Sequence, residues 1–592
     1  MMKNIPLYEV RHIIDLRDML DQSAALYGDK AAFLVKDPRA AVVSGAAAPT
    51  AEAAEAVART ANEAYLPVSF GKFARDVQAL GTWFLAQGLA GSRIAILAET
   101  RYEWYVTYLA TVNGTGVAVP LDRELPRAEI ASLLKRAHAD VLVFAASRQN
   151  DVDAIRTQIP SVKRFIAMDQ PQAAADLCFW DSLATGYQLL AQGSTIFTQT
   201  PIDPEKLAVL LFTSGTTDTA KAVMLSQRNI CINLQAMCQM LYIGPDDTFL
   251  SVLPLHHTYE CTCGFLCPIY RGSTVAVCEG LRHITRNMQE SRATILLVVP
   301  LMLEMFYKRI VKSATAEPKQ AKKFRLGLQI SGLLRKVGID RRRQLFAPIH
   351  ESFGGHLRLL ISGGAAIDPA IIQGMRNFGI ESLQGYGLTE CAPILALNRD
   401  VDYRDTAAGL PLPGVTVKII DPDENGIGEI AGRGPNVMMG YYENEEATRQ
   451  AIDAEGFFHT GDLGYLDKDG FVIITGRKKN VIIAKNGKNI FPEEIEFKLL
   501  QHDLIAECLV SGRPDETGET IIHAEIFPSE ERVRELFGEA SLDSAEVRAA
   551  LDQIVRSVNH SLMTYKYIRV FDIRTSEFVK TSSKKIKRTY NT

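Results

Sequence analysis

The feature that most constrains this chain is an alternation running from about residue 90 to residue 390. Short apolar runs, SRIAILAE, DVLVFAA, LAVLLFTSG, TFLSVLPL, STVAVC, TILLVVP and LRLLISGG, are separated by stretches with helical periodicity. Each run is rich in Leu or β-branched residues, and most end in Gly, Pro or Ser, the pattern of strands buried on both faces. SQRNICINLQAMCQML reads as a helix with Ser226 as its N-cap. Strands alternating with helices predict α/β architecture with mainly parallel sheets, which bind ligands outside the carboxyl ends of their strands.

The pattern changes twice along the 592 residues. Over 405–475, VTVKII, GEIAGRG and FVIITG are short strands between Gly, Asp and Asn turns, predicting a small β-subdomain. Beyond Gly476 come a helix at PEEIEFKLLQH, strands at LIAECLVSG and TIIHAEIF, a helix near AEVRAALDQIVRSVNHSLM and a strand at YIRVFDI. The expected organisation is a large N-terminal domain over 1–475, a hinge at 476–479 and a smaller α+β domain over 480–592.

Two stretches interrupt the N-terminal pattern. Residues 41–64 are Ala-rich and of low complexity, an expected surface insertion between two strands. Residues 308–343 carry twelve Lys/Arg against two acidic residues. Such a segment is either a solvated helical cover or a contact with anionic lipid or substrate phosphates.

Net charge is −4, which gives no global attraction to nucleic acid. No apolar run is long enough to span a bilayer, and the charged N-terminus MMKNIPLYEVRHIIDLRDML lacks the pattern of a signal peptide. The expected location is cytoplasmic, with membrane met at most peripherally. Nine cysteines, an odd number, are read as free thiols. Cys261, Cys263, Cys267 and Cys278 lie near His256 and His257, which raises the question of zinc. Their apolar surroundings lack the turn residues of a zinc knuckle, so buried thiols are expected.

The most informative segment is LLFTSGTTDTAKAVMLSQRN. An apolar strand delivers Thr213, Ser214, Gly215, Thr216 and Thr217, with Lys221 following. Hydroxyl and amide groups in such a turn can wrap phosphate oxygens while the lysine adds charge. Alone it is equally readable as a Ser/Thr-rich turn. It is followed in order by LPLHHTYE, SGGAAID, LQGYGLTE, GEIAGRGPNVMMGYY, HTGDLG, TGRKKNVIIAKNGKNIFPEEIE and KTSSKKIKR. With these motifs the chain resembles the adenylate-forming superfamily over nearly its whole length, and within it long-chain fatty acyl-CoA synthetases.

That resemblance implies activation of a fatty acid by ATP with Mg²⁺, and acyl transfer to coenzyme A. Thr213–Thr217 and Lys221 would hold the polyphosphate, with Thr217 and Glu390 at the metal. Tyr386, between Gly385 and Gly387, would lie on adenine, beside Gln384, Gly364 and Ala365. Thr389 would bind the α-phosphate, Asp462 the ribose hydroxyls, and Arg477 would assist. Lys585 would be the adenylation lysine. Lys479 marks the hinge of a mobile C-terminal domain whose other face, around Gly487, helps form the pantetheine tunnel. His256, His257 and Tyr259 would border the carboxylate or acyl channel, although a buried structural histidine reads nearly as well.

The chain departs from the family pattern at several positions. Asp218, Ala220 and Ala222 stand where Gly, Pro and Gly are usual, and Asp218 adds negative charge beside polyphosphate. In the closing motif Lys584 replaces a Gly and Val579 a Pro; the following Ile586 favours Lys585 over Lys584 as the catalytic cation. A carrier-protein phosphopantetheine remains an alternative acceptor, and a catalytically weak acyl- or nucleotide-binding protein a third reading.

Overall fold

The computed structural model describes residues 5–41, 65–173, 175–213, 220–483, 489–515, 520–580 and 586–588. Two large sheets organise the N-terminal part. The first has nine strands in the order Leu410–Pro411, Ile394–Leu397, Glu381–Gly387, Leu359–Ser362, Ile295–Val298, Thr248–Ser251, Thr274–Val277, Ala31–Val35 and Leu66–Ser69. Pairing is parallel from Glu381–Gly387 through Ala31–Val35 and antiparallel at both edges. The second has eight strands: Gly440–Tyr441, Lys221–Ser226, Leu207–Thr213, Gly116–Pro120, Ser92–Leu97, Val141–Phe144, Arg164–Ala167 and Leu177–Cys178. All seven apolar runs are strands of these sheets, and the α/β expectation of mainly parallel sheets holds.

The largest core cluster draws on both sheets. The Phe70–Ala86 helix starts where the Ser69 hydroxyl accepts the Lys72 amide, an N-cap that satisfies an otherwise orphaned donor. Its Phe70, Phe73, Val77, Leu80 and Phe84 recur at three- and four-residue spacing and are buried. Phe33, Phe73, Tyr105 and Phe265 form a continuous aromatic seam, with Phe33–Phe73 and Tyr105–Phe265 centroids each 4.7 Å apart. The Gln227–Met240 helix begins with the expected Ser226 cap, closed into a capping box by Asn229.

An antiparallel sheet of Thr416–Ile420, Gly428–Arg433, Phe458–Leu466 and Val472–Arg477 follows. Two short strands inside 405–475 instead extend the large sheets: Leu410–Pro411 pairs with Ile394–Leu397, and Gly440–Tyr441 with Lys221–Ser226. Their open edges supply backbone partners that short segments cannot find alone. Beyond the Lys478–Asn480 turn, a three-stranded sheet of Ile505–Pro514, Thr520–Pro528 and Ile568–Ile573 packs with the Pro492–Leu500 and Ala545–His560 helices around its own apolar cluster.

The nine cysteines are buried free thiols. The basic segment lies on helices Pro300–Thr315, Pro318–Lys336 and Arg342–Leu345. Phe324 and Phe346 anchor it on Phe378, at centroid distances of 5.6 and 5.5 Å. Of the Ala-rich insertion, residues 42–64 lie outside the described residues, but the strands expected on either side, Ala31–Val35 and Leu66–Ser69, pair antiparallel. No helix among the described residues is long and apolar enough to cross a membrane.

Candidate functional site

Thr213, His256, His257, Tyr259, Gly364, Ala365, Thr389 and Glu390 lie at or just past the carboxyl ends of strands in the two large sheets. The phosphate-loop candidate joins Leu207–Thr213 to Lys221–Ser226, an antiparallel pair whose last register match is Thr213 with Lys221. The Thr213 hydroxyl donates to the Lys221 carbonyl at 3.3 Å. Ser214, Gly215, Thr216, Thr217 and Asp218 lie outside the described residues, as do Gly487, Lys584 and Lys585.

Lys221 emerges from this hairpin with its ammonium 4.6 Å from the centroid of the Tyr441 ring, a cation–π contact. The Tyr441 hydroxyl donates to Glu390 Oε1 at 3.0 Å. Burial and the Glu390 carboxylate both raise the Tyr441 pKa, so this hydroxyl stays a donor. Glu390 sits with Thr389 on the turn that follows Glu381–Gly387. The Asn233 and Asn436 side-chain amides each donate to the Cys391 and Ile394 carbonyls and pin that turn from behind. One linkage thus ties Lys221, at the start of its strand in one large sheet, to the acidic turn that follows a strand of the other.

A second linkage joins the nine-stranded sheet to the small sheet. The Tyr386 hydroxyl donates to Asp462 Oδ2 at 2.6 Å, and Arg477 Nε lies 2.7 Å from Asp462 Oδ1. Asp462 and Arg477 are directly paired across neighbouring strands, which sets this geometry. Both carboxylate oxygens are therefore oriented by protein groups. Gln384 donates to the Asp405 and Ala407 carbonyls and secures the next loop. A Cβ at Gly387 would overlap the Pro393 carbonyl, and one at Gly385 would meet Leu397; the two glycines are already required by their own chain. Gly364, at φ +87°, and Ala365 are exposed just past the end of Leu359–Ser362.

The third group surrounds LPLHHTYE. The Tyr259 hydroxyl donates to the Ile361 carbonyl at 2.8 Å, and its ring occupies the space where Gly363 has no side chain. The His256 and His257 rings meet at a tilt of 48° with centroids 4.1 Å apart, and His256 Nε2 is 3.6 Å from Asp122, just past Gly116–Pro120. Burial first, then the His257 charge, pushes His256 down to about 3. Below them Glu260 accepts from the Ser251 hydroxyl, which accepts from Tyr105. Burial pushes Glu260 up to about 8, so the acid is largely protonated at neutral pH. Glu260 was not among the candidate residues, though it closes the quoted motif.

Near the expected hinge, Lys478 Nζ contacts Glu429 at 2.8 Å and Asn480 donates to Glu493. Burial and the neighbouring Arg477 and Arg588 lower the Lys479 pKa.

The donors in the crevice suit a nucleotide and a hard cation. Glu390 is a partly exposed carboxylate, and no grouping of three or more His, Cys, Asp or Glu that could hold a metal exists among the described residues. One carboxylate completed by phosphate oxygens is how Mg²⁺ is commonly held.

Comparison with known proteins gives a consistent result. The family described as AMP-binding enzyme matches residues 45–442. Long-chain-fatty-acid–CoA ligase 5 of Rattus norvegicus is 30% identical over 490 residues, covering 77% of this chain and 70% of that protein. A long-chain-fatty-acid–CoA ligase of Mycobacterium bovis is 27% identical over 552 residues, covering 88% and 90%. The crystal structure of an anthranilate CoA ligase in complex with anthranoyl-AMP has a TM-score of 0.74 at 19% identity, covering 99% of this chain and 97% of that one.

Proposed function

The chain belongs to the AMP-binding enzyme family, and from that membership we propose that it uses ATP to join a carboxylic acid to the thiol of coenzyme A through an acyl-adenylate. The observation that carries this reading is the linkage Lys221–Tyr441–Glu390. Tyr441 contacts both the Lys221 ammonium and the Glu390 carboxylate, which supports reading them as a phosphate-binding cation and a metal-binding carboxylate, and the Tyr386–Asp462–Arg477 contacts support a second anchor for the nucleoside.

In the first half-reaction a carboxylate oxygen attacks the α-phosphorus and the bond to the β,γ-phosphates breaks, leaving acyl-AMP and pyrophosphate. Two anions must approach, so the chain's task is to supply fixed positive charge and donors where charge builds. Lys221 with the Thr213–Thr217 turn holds the polyphosphate, Thr389 donates to the α-phosphate, and Lys585 bridges the reacting oxyanions. Tyr386, Gly364 and Ala365 border the adenine, and Asp462 accepts from the ribose with Arg477 holding it in place. Glu390 and Thr217 would hold Mg²⁺, which would supply charge neutralisation at the phosphates. In the second half-reaction the thiol sulfur attacks the acyl carbonyl, the thiol proton is released and AMP leaves. The segment beyond the 476–479 hinge turns between the two, withdrawing Lys585 and bringing Gly487 toward the pantetheine arm.

The acid is proposed to be a fatty acid, bordered by His256, His257 and Tyr259. The relatives named as long-chain-fatty-acid–CoA ligases support this, as does the burial that holds His256 and Tyr259 uncharged. The test is acid-dependent exchange of pyrophosphate into ATP across straight-chain acids of graded length and anthranilate. Thioester formation is then followed with coenzyme A or a phosphopantetheine-bearing carrier protein. Exchange rising with chain length and a product on coenzyme A are expected. If no acid elicits AMP from ATP, the reading fails; if anthranilate outperforms every straight-chain acid, the fatty-acid assignment fails alone.

A further inference from the structure

The Pro318–Lys336 helix has apolar side chains on two sides. Its inner side is explained by the fold: Phe324 and Leu328 pack into the cluster beneath the nine-stranded sheet, and Ser331 is buried. Its outer side has no partner among the described residues. Leu326, Ile330 and Leu333, with Val337 just past the last turn, are 55%, 37%, 64% and 69% exposed. At about 100° per residue these positions fall within roughly 60° of arc, a single ridge along the helix. A soluble helix with its inner face already buried gains nothing in the fold from such a ridge.

The charges beside the ridge have one sign. Lys322, Lys323, Arg325 and Lys336 are exposed on the same helix, and no Asp or Glu occurs between Glu317 and Asp340. Aliphatic side chains flanked by lysine and arginine match a bilayer surface: the ridge enters the boundary between headgroups and acyl chains while the cations meet anionic headgroups. A second copy of the chain would bring like charges together across a two-fold contact. A nucleic acid would satisfy the cations and leave the aliphatic ridge uncovered.

We propose that this helix docks the protein on anionic membranes. Docking is reversible, because one short ridge with a basic border is an interfacial contact and crosses nothing. The inference does not depend on which acid is activated.

The experiment is flotation of the full chain with vesicles of phosphatidylcholine alone or mixed with phosphatidylglycerol, at low and raised salt. Binding to the anionic vesicles that weakens with salt is expected. Leu326→Ser with Leu333→Ser and Val337→Ser should lower binding at least about fivefold, and so should Lys322→Glu with Lys323→Glu and Arg325→Glu. Pyrophosphate exchange with a short, water-soluble acid should stay at the wild-type rate in both variants, because their side chains are exposed and outside the crevice. The proposal is overturned if the native chain ignores anionic vesicles or if either variant floats like the wild type. It is equally overturned if sedimentation shows a dimer that the serine variant dissociates, which would assign the ridge to a second copy.

Discussion

The residues proposed for the nucleotide and those proposed for the acyl group are built on opposite electrostatic plans. On the side proposed for the nucleotide most charged groups keep contact with solvent: Arg477 is 43% exposed in its side chain, Lys479 is exposed, and Lys221 and Glu390 are half-buried, while Asp462 is buried and held by Tyr386 and Arg477. On the side proposed for the acyl group burial keeps two titratable groups neutral, with His256 pushed down to about 3 and Glu260 up to about 8. A polyanion needs charge that is already in place, and solvent contact makes that charge inexpensive to keep. A wall that is to meet an alkyl chain must instead hold its polar atoms without net charge, through hydrogen bonds such as Tyr105 to Ser251 to Glu260. The difference predicts that substitutions on one side alter rate and ATP use, whereas those on the other alter pH-dependent stability.

The strongest test of the charged side is Lys585→Ala. Acid-dependent pyrophosphate exchange should fall at least about 100-fold, the scale of losing one group that stabilises charge built up in the transition state. Transfer from supplied acyl-adenylate to coenzyme A should persist, because that step breaks the acyl–phosphate anhydride with AMP as the leaving group and requires no bridge between two anions. Equal loss of both half-reactions would break the assignment of this lysine to adenylation alone.

Next in size is the nucleoside anchor. Asp462→Asn should raise the KM for ATP about tenfold and leave the KM for the acid unchanged, since a charge-assisted contact is lost on the nucleotide wall alone. Tyr386→Phe retains the ring and removes only the donor to Asp462, so about threefold is expected. Steady-state kinetics with each substrate varied in turn decides the point. A shift in the KM for the acid matching that for ATP would erase the proposed separation between the walls.

The same contrast explains what could be read in advance. Thr213, Lys221, Thr389, Glu390 and Asp462 stand in contiguous motifs because the phosphate and ribose contacts proposed for them would demand hydroxyls, charge and tight turns at strand ends. The residues that brace them are silent in sequence: Asn233 reaches the Cys391 carbonyl across 158 positions, and Tyr441 meets Glu390 across 51. The Phe458–Leu466 strand was recognised only as a motif, since Gly461 and Gly464 obscure an in–out alternation that its burial makes plain. Glu260 was visible as a letter, but an acid reads as a surface residue until depth shows it protonated. The outer ridge of the Pro318–Lys336 helix was blurred for the opposite reason, because apolar residues on both faces weaken the helical period.

On the neutral wall the larger effect belongs to Glu260. Its folded pKa lies above the ordinary carboxylate value, so the folded state holds a proton that the unfolded chain releases near pH 4.5. The stability it contributes is therefore present in acid and lost as pH rises toward about 8. Glu260→Gln, which mimics the protonated acid, should remove this fall, so the variant's Tm gains on the wild type by several degrees between pH 5 and pH 8. Parallel Tm profiles would mean that Glu260 is ionised in the fold.

His256 supplies the smallest effect, with the opposite sign. Its folded pKa is depressed from 6.5 to about 3, so the unfolded chain takes up a proton first as pH falls. The stability it contributes is present above 6.5 and lost toward 3, and near neutral pH nothing titrates. His256→Gln should accordingly leave the pH profile of kcat/KM between 6 and 8 without a lost inflection, while the variant's Tm declines less steeply than the wild type's between pH 6 and pH 4. An inflection near 6.5 that vanishes in the variant would show a histidine that carries charge during turnover. The acyl wall would then follow the same electrostatic plan as the nucleotide wall, and the contrast between the two would be lost.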